Sequence, residues 1–161
     1  MTGTPARAGR SIDWITPIGF FCLVLVVALV GAAFSSDASA VYAGLDRPSW
    51  APPSWLFGPA WTLLYLLIAI SGWLAWRAEG PPGRLLAFTA YGVQLVLNVA
   101  WTPLFFGLGA FFVALLDIIL LLVAILATVL LFLPRSRFAA ALLLPYLGWV
   151  GYATALTAAV L

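Results

Sequence analysis

The side chains of this sequence that could do chemistry are mostly aromatic, and they recur at helical spacing. Trp61 and Tyr65 are four residues apart, Gln94, Asn98 and Trp101 follow an i, i+4, i+7 pattern, and Trp149 and Ala153 are again four apart. On a helix each set shares one face. Indole and phenol rings stack on a flat aromatic molecule and keep an N–H or O–H free at one edge. Conventional catalysis has no comparable material. The chain has no His, no Lys, one Cys (Cys22) and one Met (Met1). Without His there is no Ser–His–Asp triad and no His metal site. Without Lys there is no Schiff base, and a single thiol excludes an intrachain disulfide. No metal site and no required cofactor are expected.

Each of these side chains also has a plainer reading. Trp61, Trp101 and Trp149 serve packing as readily as they line a pocket, and Gln94 and Asn98 suit interhelical hydrogen-bond glue. Tyr146 follows Pro145, where proline removes a backbone hydrogen bond, and either steadies that kink or faces the pocket. Trp14, Trp73 and Trp76 lie at the ends of apolar runs and fit an interfacial belt. Asp117 is harder to dismiss. An ionisable group inside an apolar run is costly and by default functional, a neutral structural aspartate being the equal alternative.

The elements that must position these residues are membrane spans. Apolar residues make up 65% of the 161-residue chain and charged residues 7%, against roughly 25% charged in an ordinary soluble domain. Mean hydropathy is +1.16. Crossing a bilayer takes about 20 mostly apolar residues. Five such runs occupy residues 14–34, 55–76, 85–107, 110–133 and 138–161. The expected fold is therefore all-α, a single-domain bundle of five transmembrane helices. Gly80-Pro81-Pro82-Gly83 and Pro134-Arg135-Ser136 read as breaker turns. The long connection, residues 35–54, is rich in Pro, Trp, Ser and Asp, and a loop of that length is usually functional or disordered. Arg7 and Arg10 before an apolar run, with Ala38-Ser39-Ala40 after it, resemble a signal peptide. The run from Ile15 to Phe34 exceeds the usual 7–15 residues of such a segment, so it is kept as the first helix.

Orientation follows from arginine. Alternate ends of the spans receive Arg7, Arg10, Arg77, Arg84, Arg135 and Arg137 on one side and Arg47 on the other. The positive-inside rule makes the first side and the N-terminus cytoplasmic, and the long loop and C-terminus external. The cations are dispersed between apolar runs, so nucleic acid is not an expected partner. At a rise of about 1.5 Å per residue, the aromatic and polar sets above all fall in the outer half of the bundle, beneath the long loop. That is the layout of a ligand cavity with a lid. Gly148, Gly151, Ala155 and Ala159 form a strip suited to close helix packing, within the bundle or between two copies.

Three blocks resemble the TspO/MBR family, the tryptophan-rich sensory proteins and translocator proteins. They are the stretch from Leu45 to Tyr65 (LDRPSWAPPSWLFGPAWTLLY), Gln94-Leu95-Val96-Leu97-Asn98-Val99-Ala100-Trp101 with Phe105-Phe106, and Leu144-Pro145-Tyr146-Leu147-Gly148-Trp149. The resemblance implies a five-helix bundle, often dimeric, that binds porphyrins and benzodiazepine- or isoquinoline-type ligands. It implies pocket residues at Trp50, Trp61, Tyr65, Asn98, Trp101, Trp149 and Ala153. In some bacterial members, tryptophans matching Trp61 and Trp149 are implicated in light-dependent protoporphyrin breakdown. Two departures stand out: Thr157 replaces a common Asn, and the C-terminal cholesterol-recognition segment has no counterpart before Leu161. Steroid transport is therefore not carried over.

The expected function is a membrane receptor or sensor for a porphyrin or another flat apolar molecule. The alternatives are a porphyrin-degrading photo-enzyme, with Trp61 and Trp149 as its catalytic residues, or a transporter. Transport lacks the paired broken helices and repeat symmetry usual for it. Arg47, Asp117 and Tyr146 join the implied pocket residues as candidate ligand contacts. Arg47 is the only outer cation, and its guanidinium could pair a propionate in bidentate fashion or pair with neighbouring Asp46. Haem iron is usually held by His, Cys, Met or Tyr, which leaves only Tyr65 near the cavity, so metal-free porphyrin is expected to bind at least as well as haem. The topology is directly testable. With Cys22 replaced by Ala, Ser49→Cys should react with an impermeant thiol reagent from outside and Gly80→Cys should not. Reversed reactivity would move the lid to the cytoplasmic side.

Overall fold

A computed structural model of the chain describes residues 14–78, 80 and 82–161; Arg7 and Arg10 lie outside them. Five spans of 19–24 residues are long and apolar enough to cross a membrane. Helix α1, Ile15–Ala33, is apolar all round and buries only Val24, Val27 and Gly31. It touches the bundle along one narrow strip. A short helix α2, Ala38–Gly44, and a 3₁₀ turn, Ser54–Leu56, lead into α3, Phe57–Arg77. Helix α4, Arg84–Thr102, begins after Gly83, whose φ of 103° no side-chain-bearing residue adopts easily.

Two proline-bearing segments depart from uninterrupted helix. After Thr102 the chain widens into a π turn, Pro103–Gly107, closed by the Leu108 amide donating to the Pro103 carbonyl at 2.9 Å. Such turns are rare and occur mostly as single turns within helices. Gly109, with φ of 60°, then turns the chain into α5, Phe111–Phe132. The last span is two helices, α6, Arg137–Leu142, and α7, Leu144–Ala159. Pro145 has no N–H to give the carbonyl four residues back. The Leu143 amide instead bonds the Ala140 carbonyl, three residues back, at 3.1 Å. Ser136 opens α6 as an N-cap, its hydroxyl accepting from the Ala139 amide at 3.1 Å.

The long connection is partly ordered as helix. Seven residues are too few for a helix to stand alone in water, and α2 is anchored to its surroundings through its own Tyr42. The Tyr42 ring is buried with its edge against Phe57, and its hydroxyl donates to the Pro52 carbonyl at 2.8 Å.

Helix α4 packs along α5, α1 along α3, α5 along α7, and α3 against α6. In hydrocarbon the backbone is satisfied within each helix, and side-chain hydrogen bonds tie one helix to the next. Ser71 on α3 donates to the Ala139 carbonyl of α6 at 2.7 Å, and Tyr91 on α4 donates to the Ile68 carbonyl of α3 at 3.0 Å. Phe20, Trp76, Phe88, Tyr91 and Phe132 make one continuous aromatic cluster in the half of the bundle away from the lid. At that end Arg84 lies 3.7 Å over Trp76 and Arg77 lies 5.1 Å over Trp73. Gly148, Ala155 and Ala159 are exposed on the outer face of α7 rather than packed within the bundle.

At Gly72 on α3, side chains from α1 and α4 press against the helix backbone. A Cβ there would sit 2.7 Å from Tyr91 Cζ and 2.8 Å from Phe20 Cδ1. Gly72→Val should therefore destabilise the bundle by about 1–3 kcal/mol, the usual cost of overpacking. The loss should appear as a lowered unfolding midpoint in detergent. An unchanged midpoint would mean that the two rings move aside freely.

Candidate functional site

A cavity of about 500 Å³ lies in the lid half of the bundle, walled by α1, α2, α3, α4, α5 and α7. The small residues Ala28, Gly31 and Ala32 leave room on the α1 side. Helix α3 contributes Trp61 and Tyr65, consecutive on one face, with ring centroids 5.3 Å apart and planes inclined by 30°. Asn98 and Trp101 come from α4, and Trp101 is braced by Phe105 of the π turn, stacked at 4.9 Å. Ile118 and Leu121 of α5 close the apolar floor. Trp149 and Ala153 come from α7, and Trp149 is gripped edge-on by Phe57 at 6.0 Å. The wall is largely apolar with a few hydrogen-bonding groups, which is the usual make-up of a small-molecule site.

The polar part of the wall is built as a chain. The Tyr65 hydroxyl donates to Asn98 Oδ1 at 2.9 Å, and Asn98 Nδ2 donates to the Tyr146 hydroxyl at 3.0 Å. This links α3, α4 and α7 across the bundle. Tyr146 itself is fully buried behind the wall, its ring 6.2 Å from Trp61. Asp117 is also buried and off the cavity surface, one residue before Ile118. Among the described residues no group of three or more His, Cys, Asp or Glu side chains is placed to hold a metal ion.

Six of the ten candidate ligand contacts, Trp61, Tyr65, Asn98, Trp101, Trp149 and Ala153, stand on the cavity wall. The other four do not. Asp117 and Tyr146 are behind it, because counting residues along a helix gives depth but not direction. Trp50 and Arg47 belong to the lid. Trp50 is 48% exposed, packs its ring edge-on to Tyr152 at 5.6 Å, and accepts the Tyr152 hydroxyl on its carbonyl at 2.9 Å. Arg47 is exposed and lies 4.6 Å over the Tyr42 ring, and no ion pair joins it to Asp46 among the described residues. Tyr42, Phe57 and the small residues of α1 were not singled out from sequence. Only the aromatic character of Tyr42, set between small residues in a long loop, could have drawn attention to it.

Two tyrosines thus fasten the lid: Tyr42 from within it and Tyr152 from α7. Tyr152→Phe removes the bond to α7, worth about 1 kcal/mol. Amide exchange across residues 48–53 should rise about fivefold on that basis. Unchanged exchange would show that ring packing alone holds the lid.

Comparison with known proteins agrees with this architecture. The family model described as TspO/MBR family matches residues 20–161. The chain is 42% identical over 138 residues to the tryptophan-rich protein TspO of Archaeoglobus fulgidus, covering 85% of this chain and 89% of that one. It is 36% identical over 146 residues to the human translocator protein, covering 89% and 86%. To the tryptophan-rich sensory protein of Cereibacter sphaeroides it is 35% identical over 146 residues, covering 91% and 89%. With a family match from Phe20 to Leu161 and five membrane-spanning helices around one aromatic cavity, the chain belongs to the TspO/MBR family.

Proposed function

We propose that this integral, multi-pass membrane protein is a receptor for a flat tetrapyrrole, a metal-free porphyrin above all, held in the aromatic cavity and covered by the lid. The observation that carries the reading is the cavity: about 500 Å³, lined by Trp61, Tyr65, Trp101 and Trp149. That volume falls within the roughly 300–1,000 Å³ of small-molecule sites. Stacking on indole and phenol faces suits a broad conjugated ring. A sensory role agrees with the name of the Cereibacter sphaeroides relative. Among the described residues the wall offers no His, Cys or Met, and the hydroxyls of its two tyrosines, Tyr65 and Tyr42, are already engaged with Asn98 and the Pro52 carbonyl, so haem iron gains little there that the bare macrocycle lacks. The lid faces outward and the N-terminus inward in this reading. Arg77, Arg84, Arg135 and Arg137 gather at the end opposite Arg47, and Gly80 meets the Arg135 side chain at that end. Arg47 on the lid is the cation available to porphyrin propionates. The outward strip of Gly148, Ala155 and Ala159 suits a second copy of the chain.

Titration of the purified protein with free-base porphyrin should quench tryptophan fluorescence saturably at micromolar ligand. Haem should bind no more tightly. Arg47→Gln should weaken porphyrin about two- to fivefold, the scale of an exposed ion pair, and leave an uncharged isoquinoline-type ligand unaffected. Absence of saturable quenching would sink the receptor reading. Strong axial haem ligation, or unchanged porphyrin affinity in Arg47→Gln, would remove the iron-free or propionate part alone.

A further inference from the structure

At the end of the bundle away from the lid, two arginines flank one short turn at the membrane boundary. Arg77 is the last residue of the span Ser54–Arg77, and Arg84 is the first of the span Arg84–Gly107. Both are exposed. The described carboxylates lie elsewhere: Asp37 and Asp46 in the connection that forms the lid, Asp117 inside α5. On this side of the membrane the sequence sets six arginines against two carboxylates, Asp13 and Glu79. The end therefore carries an excess of positive charge.

The two guanidiniums are seated rather than loose. Arg84 lies 3.7 Å over the Trp76 ring, and its Nη2 donates to the Trp76 carbonyl at 3.0 Å. Trp76 is itself braced by Phe88, edge-on at 5.0 Å, and by Phe20 at 6.1 Å. Arg77 lies 5.1 Å over the Trp73 ring. Trp73 and Trp76 are three residues apart on α3, hence neighbours on its surface, so the two cations rest on adjacent rings. A guanidinium on an indole gives up mobility but keeps most of its five N–H donors for another partner. Ordering those donors beforehand lowers the entropy lost on binding.

The partner that suits a guanidinium fork is a phosphate or carboxylate, which it can hold in bidentate fashion. Depth decides between a free anion and a lipid. Both arginines stand at the edge of the hydrocarbon, and apolar side chains beside them face outward: Leu85 is 83% exposed, Leu86 61% and Trp76 41%. A free anion has no use for that surface. A phospholipid covers it with its acyl chains while its phosphate lies against the arginines. The excess of cations favours a headgroup of net negative charge over a zwitterionic one. We propose that Arg77 and Arg84, seated on Trp73 and Trp76, form a headgroup site for one anionic phospholipid of the leaflet opposite the lid. The site is separate from the cavity and stands whether or not the cavity takes a porphyrin.

The test places the full-length protein in nanodiscs of mixed phosphatidylglycerol and phosphatidylcholine with matched chains. Native mass spectrometry then reads which lipid stays bound. Wild type should retain one phosphatidylglycerol in preference to phosphatidylcholine by about twentyfold, two arginines at about fivefold each. Arg77→Gln and Arg84→Gln should each lower that preference about fivefold. Arg84→Lys, which keeps the charge but not the planar fork, should fall between Arg84→Gln and wild type. Arg47→Gln removes the same charge from the lid end and should change nothing. Folding is checked by the unfolding midpoint in uncharged detergent, and where Arg84→Gln does not fold, Arg77→Gln decides. The proposal is overturned by a wild type without preference, or by a preference unmoved in Arg77→Gln and in a folded Arg84→Gln. An equal fall in Arg47→Gln would make the effect one of net charge, and Arg84→Lys matching wild type would make it one of point charge; either overturns the built site. Displacement of the lipid by excess glycerol phosphate would show a free-anion site instead, and overturns the lipid assignment.

Discussion

Inside a bilayer no solvent waits to satisfy a polar group that loses its partner, and an unpaired one is costly there. Asn98 meets that constraint for three helices at once. It receives from Tyr65 on α3 and gives to Tyr146 on α7, while its own backbone belongs to α4. The aromatic walls are hung from those same helices, with Trp61 one turn before Tyr65 on α3, Trp101 one turn after Asn98 on α4, and Trp149 one turn after Tyr146 on α7. If the Asn98 bridge were lost, Tyr91 would still tie α4 to α3 at the far end, but at the cavity itself the three walls would rest on packing. The cavity and the polar chain are therefore one construction seen from two sides.

The rest of the bundle divides the labour along its length. The half away from the lid is filled by the rings of Phe20, Phe88, Tyr91 and Phe132, the first and third of which close over Gly72. The lid half gives up that filling to enclose about 500 Å³. Packing one end densely lets the other stay hollow, because helices pinned at one end need fewer contacts at the other. The π turn at Pro103–Gly107 belongs to the hollow end, where it sets Phe105 behind Trp101.

Much of this was legible in the chain itself, for reasons that can be named. Run length reveals spans because a bilayer has a fixed thickness. Fourfold spacing groups Trp61 with Tyr65 and Trp149 with Ala153 because a helix has a fixed period. What neither rule supplies is azimuth. Asp117 and Tyr146 lie at cavity depth but behind the wall, as the way a helix is rotated depends on every neighbour at once. Helix α2 was illegible for a different reason. Its seven residues carry no periodic signal, and it is held by the distant Tyr42–Pro52 bond. The break at Leu143 was marked by Pro145, yet the length of the interruption depends on how α6 docks against Ser71.

The bond from Tyr152 to the Trp50 carbonyl spans 102 residues of sequence. A chain made from its N-terminus inserts α1, the lid and α3 long before α7 emerges from the ribosome. Until then Trp61 and Tyr65 face an open trough with no Trp149 opposite them and no Tyr152 to hold the loop down. The chamber is thus completed only when α7 arrives, and its closure reports that all five spans have been threaded into the membrane.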